Sequence, residues 1–197
     1  IETVEDMKKA GEIILNLGPK YVLMKGGHLN GDCIDVLIGD DIFEIFSDKE
    51  VMKYYDLLPF TTIDDAINQV DIFRKCLSEK TMVRWGIELK ESGKLIGTCG
   101  FFAFSEESLK AEMGYELNSK YWNKGVMSEA LKMIMDFIFK ETDINRIEAY
   151  VEPMNTSSLK LLESLGFTKE GLLRQYELCR GQLIDITIWG LLRSDLK

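Results

Sequence analysis

The sequence contains a single histidine, His28, and its cysteines form no C-x-x-C pair. Serine–histidine or cysteine–histidine catalysis would have to depend on that one histidine, and a zinc site would need ligands that the sequence does not group. We therefore expect no metal site, and acid–base chemistry that uses carboxylates, hydroxyls or water. The scattered cysteines are interpreted as reduced residues of a cytoplasmic protein: Cys33, Cys76, Cys99 and Cys179.

The chain also lacks a basic surplus and a long apolar run. Its 33 acidic and 24 basic residues give a net charge of -9. This balance predicts binding of neither nucleic acid nor an anionic membrane, and it would attract a cationic substrate. Apolar stretches such as Ile96–Phe104 fall well short of the roughly 20 residues of a membrane-spanning helix. No signal-peptide pattern opens the chain, and Ile1 in place of methionine suggests that the true start is missing.

The first part of the chain predicts a short helix-strand-hairpin appendage. Apolar periodicity indicates a helix over Val4–Leu17, a strand over Tyr21–Met24 and a hairpin of Ile34–Ile38 with Ile42–Phe46. A helix over Asp41–Tyr55 is an alternative for the last element, with four apolar residues facing inward: Ile42, Ile45, Phe46 and Met52. The sequence leaves both structures open.

The remaining pattern predicts a mixed sheet with helices packed on it, hence an α/β (α+β) fold. At 197 residues and 46% apolar, the chain suits one domain plus an appendage. The predicted elements are a helix over Ile63–Leu77 capped by Thr62 or Thr61, strands over Val83–Leu89, Leu95–Phe104 and Glu112–Leu117, a helix over Val126–Lys140, a strand over Arg146–Val151, a helix over Ser157–Leu165, and strands over Phe167–Leu173 and Leu183–Leu191.

One segment combines a strand, a short loop with Gly125 and the start of a strong helix. A glycine in such a loop lets backbone amides converge on a phosphate at the positive end of the helix. By itself this pattern is common in proteins that bind no phosphate. The segment is neither a P-loop nor a G-x-G-x-x-G fingerprint.

The residues around Gly125 resemble the acetyl-CoA loop of the GNAT superfamily, and within it the ribosomal-protein N-terminal acetyltransferase subgroup. The matching motifs occur in the expected order over about residues 42 to 192: Tyr121-Trp122-Asn123-Lys124-Gly125, Glu129-Ala130-Leu131, Asn145-Arg146-Ile147-Glu148-Ala149, Asn155 with Ser158, Leu165-Gly166-Phe167, Glu170-Gly171 and Arg180-Gly181. The resemblance implies a GNAT fold, with a mixed and mostly antiparallel sheet and helices on both faces. It also implies an N-acetyltransferase that moves an acetyl group from acetyl-CoA to a primary amine.

The resemblance further implies that Met113–Leu117 and Arg146–Val151 splay apart, with the pantetheine arm of acetyl-CoA in the gap. Asn155 would hold that arm, and Ser158 could protonate the departing thiolate, although the first turn of a helix also favours serine as a cap. The residues carried over as cofactor-binding are Met113, Tyr115, Leu117, Trp122, Asn123, Lys124, Gly125, Val126, Met127, Ser128, Asn155 and Ser158. Tyr115 and Trp122 are interpreted as core or slot-lining residues rather than catalytic ones.

This sequence departs from the family pattern at two positions of the loop. Trp122 stands where the wider family has Gln or Arg, which the subgroup accommodates. Met127 occupies a position of small residues, so its side chain faces either the pyrophosphate or the core.

Acetyl transfer to an amine requires a base, because an ammonium group cannot attack a thioester. Glu112 is the candidate, since a carboxylate partly removed from water has a raised pKa; a solvated strand carboxylate is the alternative. Glu116, on the same strand face, is the second choice. We expect a protein N-terminal amine as acceptor, then a small-molecule amine, in a monomer or homodimer. A catalytically silent CoA-binding or interaction module is the alternative function.

Residues 1 to about 46 resemble an internal fragment of hydroxymethylpyrimidine (phosphate) kinase. The matching residues are Thr3-Val4-Glu5-Asp6-Met7, Leu17-Gly18-Pro19-Lys20-Tyr21-Val22-Leu23, Lys25-Gly26-Gly27-His28, Gly31-Asp32 and Ile34-Asp35-Val36-Leu37. The substrate-binding half and the anion hole with the catalytic aspartate are absent, so we predict no kinase activity. We predict a fusion of a kinase-like fragment, residues 1–40, with an acetyltransferase domain, residues 41–197. In this hypothesis Ile34–Ile38 supplies a missing edge strand by pairing with Val83–Leu89.

Overall fold

Most of the described residues lie in helices and strands that follow one another closely along the chain. The computed structural model describes residues 32–196, and the side chains of residues 40–196. In chain order the regular elements are α1 (Asp32–Ser47), α2 (Ile63–Ser78), β1 (Met82–Glu88), β2 (Leu95–Ser105), β3 (Lys110–Leu117), α3 (Val126–Glu141), β4 (Arg146–Val151), α4 (Thr156–Ser164), β5 (Thr168–Cys179) and β6 (Gln182–Leu192).

The six strands form one sheet in the order β1-β2-β3-β4-β6-β5. Only the central pair, β3 with β4, is parallel, and the other four pairs are antiparallel. A parallel pair needs a crossover connection, which α3 supplies between these two strands. The mixed, mostly antiparallel sheet expected from the sequence is therefore confirmed.

Helix α3 covers one face of the sheet with the apolar stripe that its sequence predicts. The stripe residues Met127, Ala130, Leu131, Ile134 and Ile138 are all buried. They belong to one core with sheet residues such as Phe101, Ile147 and Leu191. Burial of a stripe this wide is the main reason that the helix is stable in water.

Helices α1 and α2 build a second, smaller core on the opposite face of β1 and β2. Its buried members are Ile42, Ile45, Phe46, Met52 and Ala66. The N-terminus of α2 is fixed by a capping box between Thr62 and Asp65, as predicted from the Thr62 signal. The guanidinium of Arg84 on β1 lies 5.6 Å from the ring centroid of Phe73 on α2. Helices thus cover both faces of the sheet.

The predicted hairpin of Ile34–Ile38 with Ile42–Phe46 is wrong. Both segments lie in one helix, α1, and a 3-10 helix follows at Val51–Tyr54. The helical alternative is confirmed for Asp41–Ser47, whose inward residues Ile42, Ile45 and Phe46 are buried. The fourth, Met52, is buried in the 3-10 helix. The physical reason is periodicity: Ile38, Ile42 and Ile45 are spaced by four and three residues, as on one face of a helix and not of a strand.

The hypothesis of a borrowed edge strand is wrong for the same reason. Ile34–Ile38 is helical and pairs with no strand, while β1 has β2 as its partner. Strand β5 extends to Cys179, beyond the predicted end at Leu173, because bulged pairing with β6 carries it to the turn at Arg180 and Gly181. The predicted helix over Val4–Leu17 and strand over Tyr21–Met24 lie outside the described residues. The predicted division at residues 40 and 41 falls within α1 and stays a prediction.

Candidate active site

The central feature of the site is a gap in the sheet between β3 and β4. These strands pair only from Lys110 to Glu112 and from Arg146 to Glu148. Beyond those residues β3 stays with β2, and β4 stays with β6. The gap that the resemblance implied between Met113–Leu117 and Ala149–Val151 is therefore present. Backbone groups facing it can pair with an extended ligand, as with an added strand.

The gap opens into a cavity of about 1030 Å³ that runs from the N-terminus of α3 to the β5–β6 hairpin. Every predicted site residue except Lys124 contributes to its lining. These residues are Glu112, Met113, Tyr115, Leu117, Trp122, Asn123, Gly125, Val126, Met127, Ser128, Asn155 and Ser158. Tertiary structure thus brings together residues that the sequence places on one strand, one loop, and two helices with their N-caps.

The loop before α3 has the backbone that an anion site requires. Gly125 is the N-cap, in the left-handed region with φ 79° and ψ -5°, and Asn123 has φ 58°. A Cβ on Gly125 would meet no atom within 4 Å, so the space beside it is open. Open space and the unpaired amides of the first helical turn lie at the positive end of a 16-residue helix. Lys124 instead places its ammonium 5.3 Å from the ring centroid of Tyr121.

Helix α1 braces this loop from outside the cavity. The Glu44 carboxylate accepts hydrogen bonds from Asn118 Nδ2 at 3.2 Å and from Lys120 Nζ at 2.7 Å, and it also pairs with Lys94. Hydrogen bonds from Lys120 and Lys94 lower the pKa of Glu44 to about 2. Ser119 Oγ donates to Asp48 at 2.5 Å. Contacts with α1 and with Asp48, which follows it, therefore contribute to the geometry of the loop before α3.

The structure shows how the loop accommodates Trp122 and Met127, the two residues that depart from the family pattern. Trp122 Nε1 donates to the Leu117 carbonyl at 2.7 Å, which fastens the loop to the end of β3. Met127 is only 7% exposed and belongs to the core cluster. Of the two orientations left open by the sequence, its side chain takes the one toward the core, although it still forms part of the cavity lining.

The N-terminus of α4 faces the gap from the other side. Asn155 is its cap, with Oδ1 accepting from the Ser158 amide at 3.2 Å. The cap is therefore Asn155, and the Ser158 hydroxyl is left to face the neighbouring Tyr115. Burial raises the pKa of Tyr115 to about 12, and a contact with Ser158 acts in the opposite sense. The buried Tyr115 hydroxyl still lacks a hydrogen-bond partner of good geometry among the described residues.

Glu112 lies at the apex of the gap, at the last paired position of β3. Its register partner on β4 is Glu148. Burial raises the pKa of Glu112, and the negative charge of Glu148 raises it further. Glu148 itself is held ionised: burial would raise its pKa, but Lys110 at 2.9 Å and Arg146 at 2.8 Å outweigh that effect and lower it. Glu112 is thus a half-buried carboxylate with a raised pKa: the charge of Lys110 offsets the rise only in part, and no ion pair to Glu112 forms among residues 40–196.

Glu116, the second choice as base, has a different environment. Its carboxylate is fully buried and bonded to Arg84 and to the Thr98 hydroxyl. Burial raises the pKa of Glu116 and lowers that of Arg84 to about 10. A carboxylate enclosed in such a group supports the sheet and is poorly placed to exchange a proton with a substrate.

The far end of the cavity is acidic and aromatic, and the sequence did not predict it. Tyr150 and Tyr176 stack with ring centroids 6.1 Å apart and planes inclined by 8°. Glu152 and Glu177 lie beside them, and burial followed by the charge of Glu177 raises the pKa of Glu152. Apart from Glu116, whose carboxylate is bound to Arg84, the acidic lining residues still outnumber the basic ones: Glu50, Asp56, Glu112, Glu152 and Glu177 against Lys53 and Lys160. Strand alternation alone gives no signal that these side chains share a cavity.

Comparison with known proteins identifies the family and the fold. The model of the acetyltransferase (GNAT) domain family matches residues 39–168. The chain belongs to the GNAT acetyltransferase family. It is accordingly an acyltransferase by family, and the resemblance found in its motifs is confirmed. A model of phosphomethylpyrimidine kinase matches residues 1–56 and overlaps the first residues of the GNAT match.

Several N-acetyltransferases are similar to this GNAT acetyltransferase. An uncharacterized N-acetyltransferase, p20, of Bacillus licheniformis is 43% identical over 156 residues, which cover 79% of this chain and 88% of that protein. The [ribosomal protein uS5]-alanine N-acetyltransferase of Escherichia coli is 33% identical over 112 residues, 56% of this chain and 58% of that protein. A spermidine N-acetyltransferase of Vibrio cholerae, solved with CoA and spermine, has a TM-score of 0.72 at 18% identity, and the match covers 89% of this chain and 97% of that one.

Two further observations apply to residues 32–196 of this acetyltransferase. Within residues 32–196, no helix combines the length and the hydropathy needed to cross a membrane. The same residues contain no cluster of three or more histidine, cysteine, aspartate or glutamate side chains arranged to hold a metal ion.

Proposed function

We propose that this protein transfers an acetyl group from acetyl-CoA to a primary amine, with a protein N-terminal amine as the first candidate acceptor. The observation that supports this most is the cavity. It joins an open, left-handed glycine at the N-terminus of α3 to a half-buried carboxylate, Glu112, through the gap between β3 and β4. One end suits the phosphates of a cofactor, and the other suits an amine.

The chain's own residues supply the contacts that acetyl-CoA would need. Backbone amides around Gly125 and the first turn of α3 would bind the pyrophosphate. Unpaired backbone of Met113–Leu117 would pair with the pantetheine arm, and the free Nδ2 of Asn155 could contact it from α4. Val126 and Ser128 line the same end of the cavity. Lys124 would contribute through its backbone, since its side chain lies over Tyr121.

In the reaction, the amine nitrogen attacks the thioester carbonyl carbon, and the carbon–sulfur bond then breaks. Glu112 accepts the proton that the ammonium must lose, directly or through water, because its raised pKa makes it a stronger base than an exposed glutamate. Ser158 donates a proton to the departing thiolate and takes up the second proton that the attacking nitrogen must lose, so that its hydroxyl is restored. Its hydroxyl is not used to cap α4, and it lies beside the buried Tyr115 hydroxyl.

The acidic and aromatic end of the cavity supports a cationic acceptor. Carboxylates of Glu112, Glu152 and Glu177 favour an ammonium group over a neutral or anionic one. The Tyr150 and Tyr176 rings offer faces on which an alkylammonium chain can lie. Both a protein N-terminus and a small-molecule amine meet this description, and the relatives named above include a ribosomal-protein alanine N-acetyltransferase and a spermidine N-acetyltransferase.

A catalytically silent CoA-binding or interaction module is the second candidate. The observation that favours it is the overlap of the kinase-family match, residues 1–56, with the start of the acetyltransferase match. That overlap includes Val51, Lys53 and Tyr54, which line the amine end of the cavity. Additional sequence before these residues would alter the access of an acceptor to the cavity without changing the loop around Gly125.

Two measurements test these alternatives in turn. A ligand at about 100 times its Kd stabilises the folded protein by roughly 2.7 kcal/mol, so acetyl-CoA should raise Tm by several degrees. No shift at millimolar acetyl-CoA excludes both functions. Thiol release is then followed with an Ala-initiated hexapeptide and with spermidine. Turnover of either supports the enzyme, and binding without turnover of any amine supports the silent module.

A further inference from the structure

The β5–β6 turn carries an arginine that matched the family motifs but has no role in the chemistry above. Arg180 has φ 49° and is followed by Gly181 with φ 81°, so two successive left-handed residues turn the hairpin. Its Nη2 lies 2.7 Å from the Met52 carbonyl oxygen, 2.8 Å from that of Tyr55 and 2.9 Å from that of Leu57. One guanidinium nitrogen therefore faces three carbonyls of a single segment.

That segment is a wall of the cavity. Residues 50–57 all contribute to the lining except Met52, which is buried in the smaller core. The Tyr54 hydroxyl donates to the Met154 carbonyl at 3.0 Å, which joins the wall to the loop before α4. The far end of the segment is tied by a hydrogen bond from the Phe60 amide to the Phe46 carbonyl at 2.9 Å. Apart from the four-residue 3-10 helix, residues 50–60 form no helix or strand.

We propose that Arg180 is a positioning residue for the acceptor: it holds residues 51–57 against the β5–β6 hairpin and so fixes the acceptor end of the cavity. The substrate assignment rests on the proposed function, whereas the holding of the wall does not. The carbonyls of Met52 and Tyr55 end the 3-10 helix, where an arginine is favoured by the backbone dipoles. The two N–H groups of Nη2 are shared among the three carbonyls, and the rigid plane of the guanidinium keeps this nitrogen in place, whereas an ammonium group on a flexible stem is held less firmly.

The test compares Arg180→Gln and Arg180→Lys with a matched control, Arg174→Gln. Arg174 is an exposed arginine on β5 of the same hairpin, and it is absent from the cavity lining. Hydrogen exchange of the amides of residues 51–58 is measured for each full-length variant, with β4 amides as the internal reference. We expect faster exchange in that segment for Arg180→Gln, a smaller increase for Arg180→Lys, and no change for Arg174→Gln.

Steady-state kinetics with the Ala-initiated hexapeptide or spermidine supply the second measurement. Suppose that without Arg180 residues 51–57 occupy the position seen in the structure only about a tenth of the time. The KM for the amine then rises about tenfold, because the apparent affinity is proportional to the fraction of molecules that can bind the amine. The KM for acetyl-CoA should stay within about twofold, since Gly125 is at the other end of the cavity. Partial recovery in Arg180→Lys is expected.

The outcomes separate this proposal from the proposed function. Failure of the wild-type protein to bind acetyl-CoA or to acetylate either probe contradicts the function alone, and hydrogen exchange still tests the wall. Unchanged exchange at residues 51–58 in both Arg180 variants overturns the proposal. So does faster exchange combined with an unchanged amine KM, or an equal rise in KM for both substrates.

Discussion

Replacement of Gly125 by alanine separates backbone strain from loss of a cofactor contact. Gly125 has φ 79°, and Gly181 in the β5–β6 turn has φ 81°. An added Cβ would meet no atom within 4 Å at either position. The two glycines thus have nearly the same φ and the same open space, but of the two only Gly125 lines the cavity. Gly181→Ala is therefore a matched control for Gly125→Ala.

The expected cost in stability is the same for both variants. An L-residue in the left-handed region is disfavoured by about 1–2 kcal/mol, and no steric clash adds to it here. For a chain of this length, each kcal/mol lowers Tm by roughly 2–4 °C. Thermal unfolding without ligand should therefore show both variants a few degrees below the wild type and close to each other.

The expected cost in acetyl-CoA affinity differs between them. In Gly125→Ala the methyl group projects into the space proposed for the pyrophosphate, and displaces at least one amide–phosphate hydrogen bond. Hydrogen bonds to charged groups contribute about 1.5–3 kcal/mol, which corresponds to a roughly 10- to 100-fold rise in Kd. Isothermal titration with acetyl-CoA should show this rise in Gly125→Ala and less than about a twofold change in Gly181→Ala. Equal affinities in the two variants would refute the assignment of the anion loop.

Three other substitutions test further parts of the site. Because burial raises the pKa of Glu112, the acidic limb of kcat/KM should lie at a higher pH than for an ordinary glutamate; Glu112→Gln should remove that limb and lower the rate about 10²-fold, and full turnover of Glu112→Gln at every pH would disprove the base assignment. Ser158→Ala should lower kcat with little change in the KM for acetyl-CoA, and a change confined to KM would instead indicate a binding role. Glu44→Gln should lose about 1 kcal/mol of stability at pH 7 in urea unfolding, since the carboxylate is partly exposed. Its folded pKa of about 2 lies below the ordinary value of 4.5, so the difference from wild type should be complete above pH 4.5 and shrink toward pH 2; a difference that does not vary with pH would contradict the ion-pair explanation.

The sequence predicted the helices and strands around the loop before α3 well, because the sequence patterns that indicate them are local. The stripe of α3 has the helical period, Gly125 stands at its start, and Gly166 ends α4 in the left-handed region with φ 90°. Alternation in β1 to β4 predicted these strands within a few residues of their ends. The hairpin prediction near Gly39 was wrong because the few apolar residues of that segment fit a period of two residues in parts and a period of 3.6 residues overall. Burial against α2 and β2 selects the helix.

The sequence by itself determined the family, and it predicted an anion-binding loop before α3 and the carboxylate and hydroxyl proposed for the chemistry. Each of these is carried by a short run of neighbouring residues. Only the tertiary structure decided that Met127 packs into the core, that Glu116 is bound to Arg84, and that Arg180 meets carbonyls more than a hundred residues earlier in the chain. The physical reason is distance along the sequence. The acceptor end is formed where a loop, a strand and a hairpin meet, and no local pattern records that meeting.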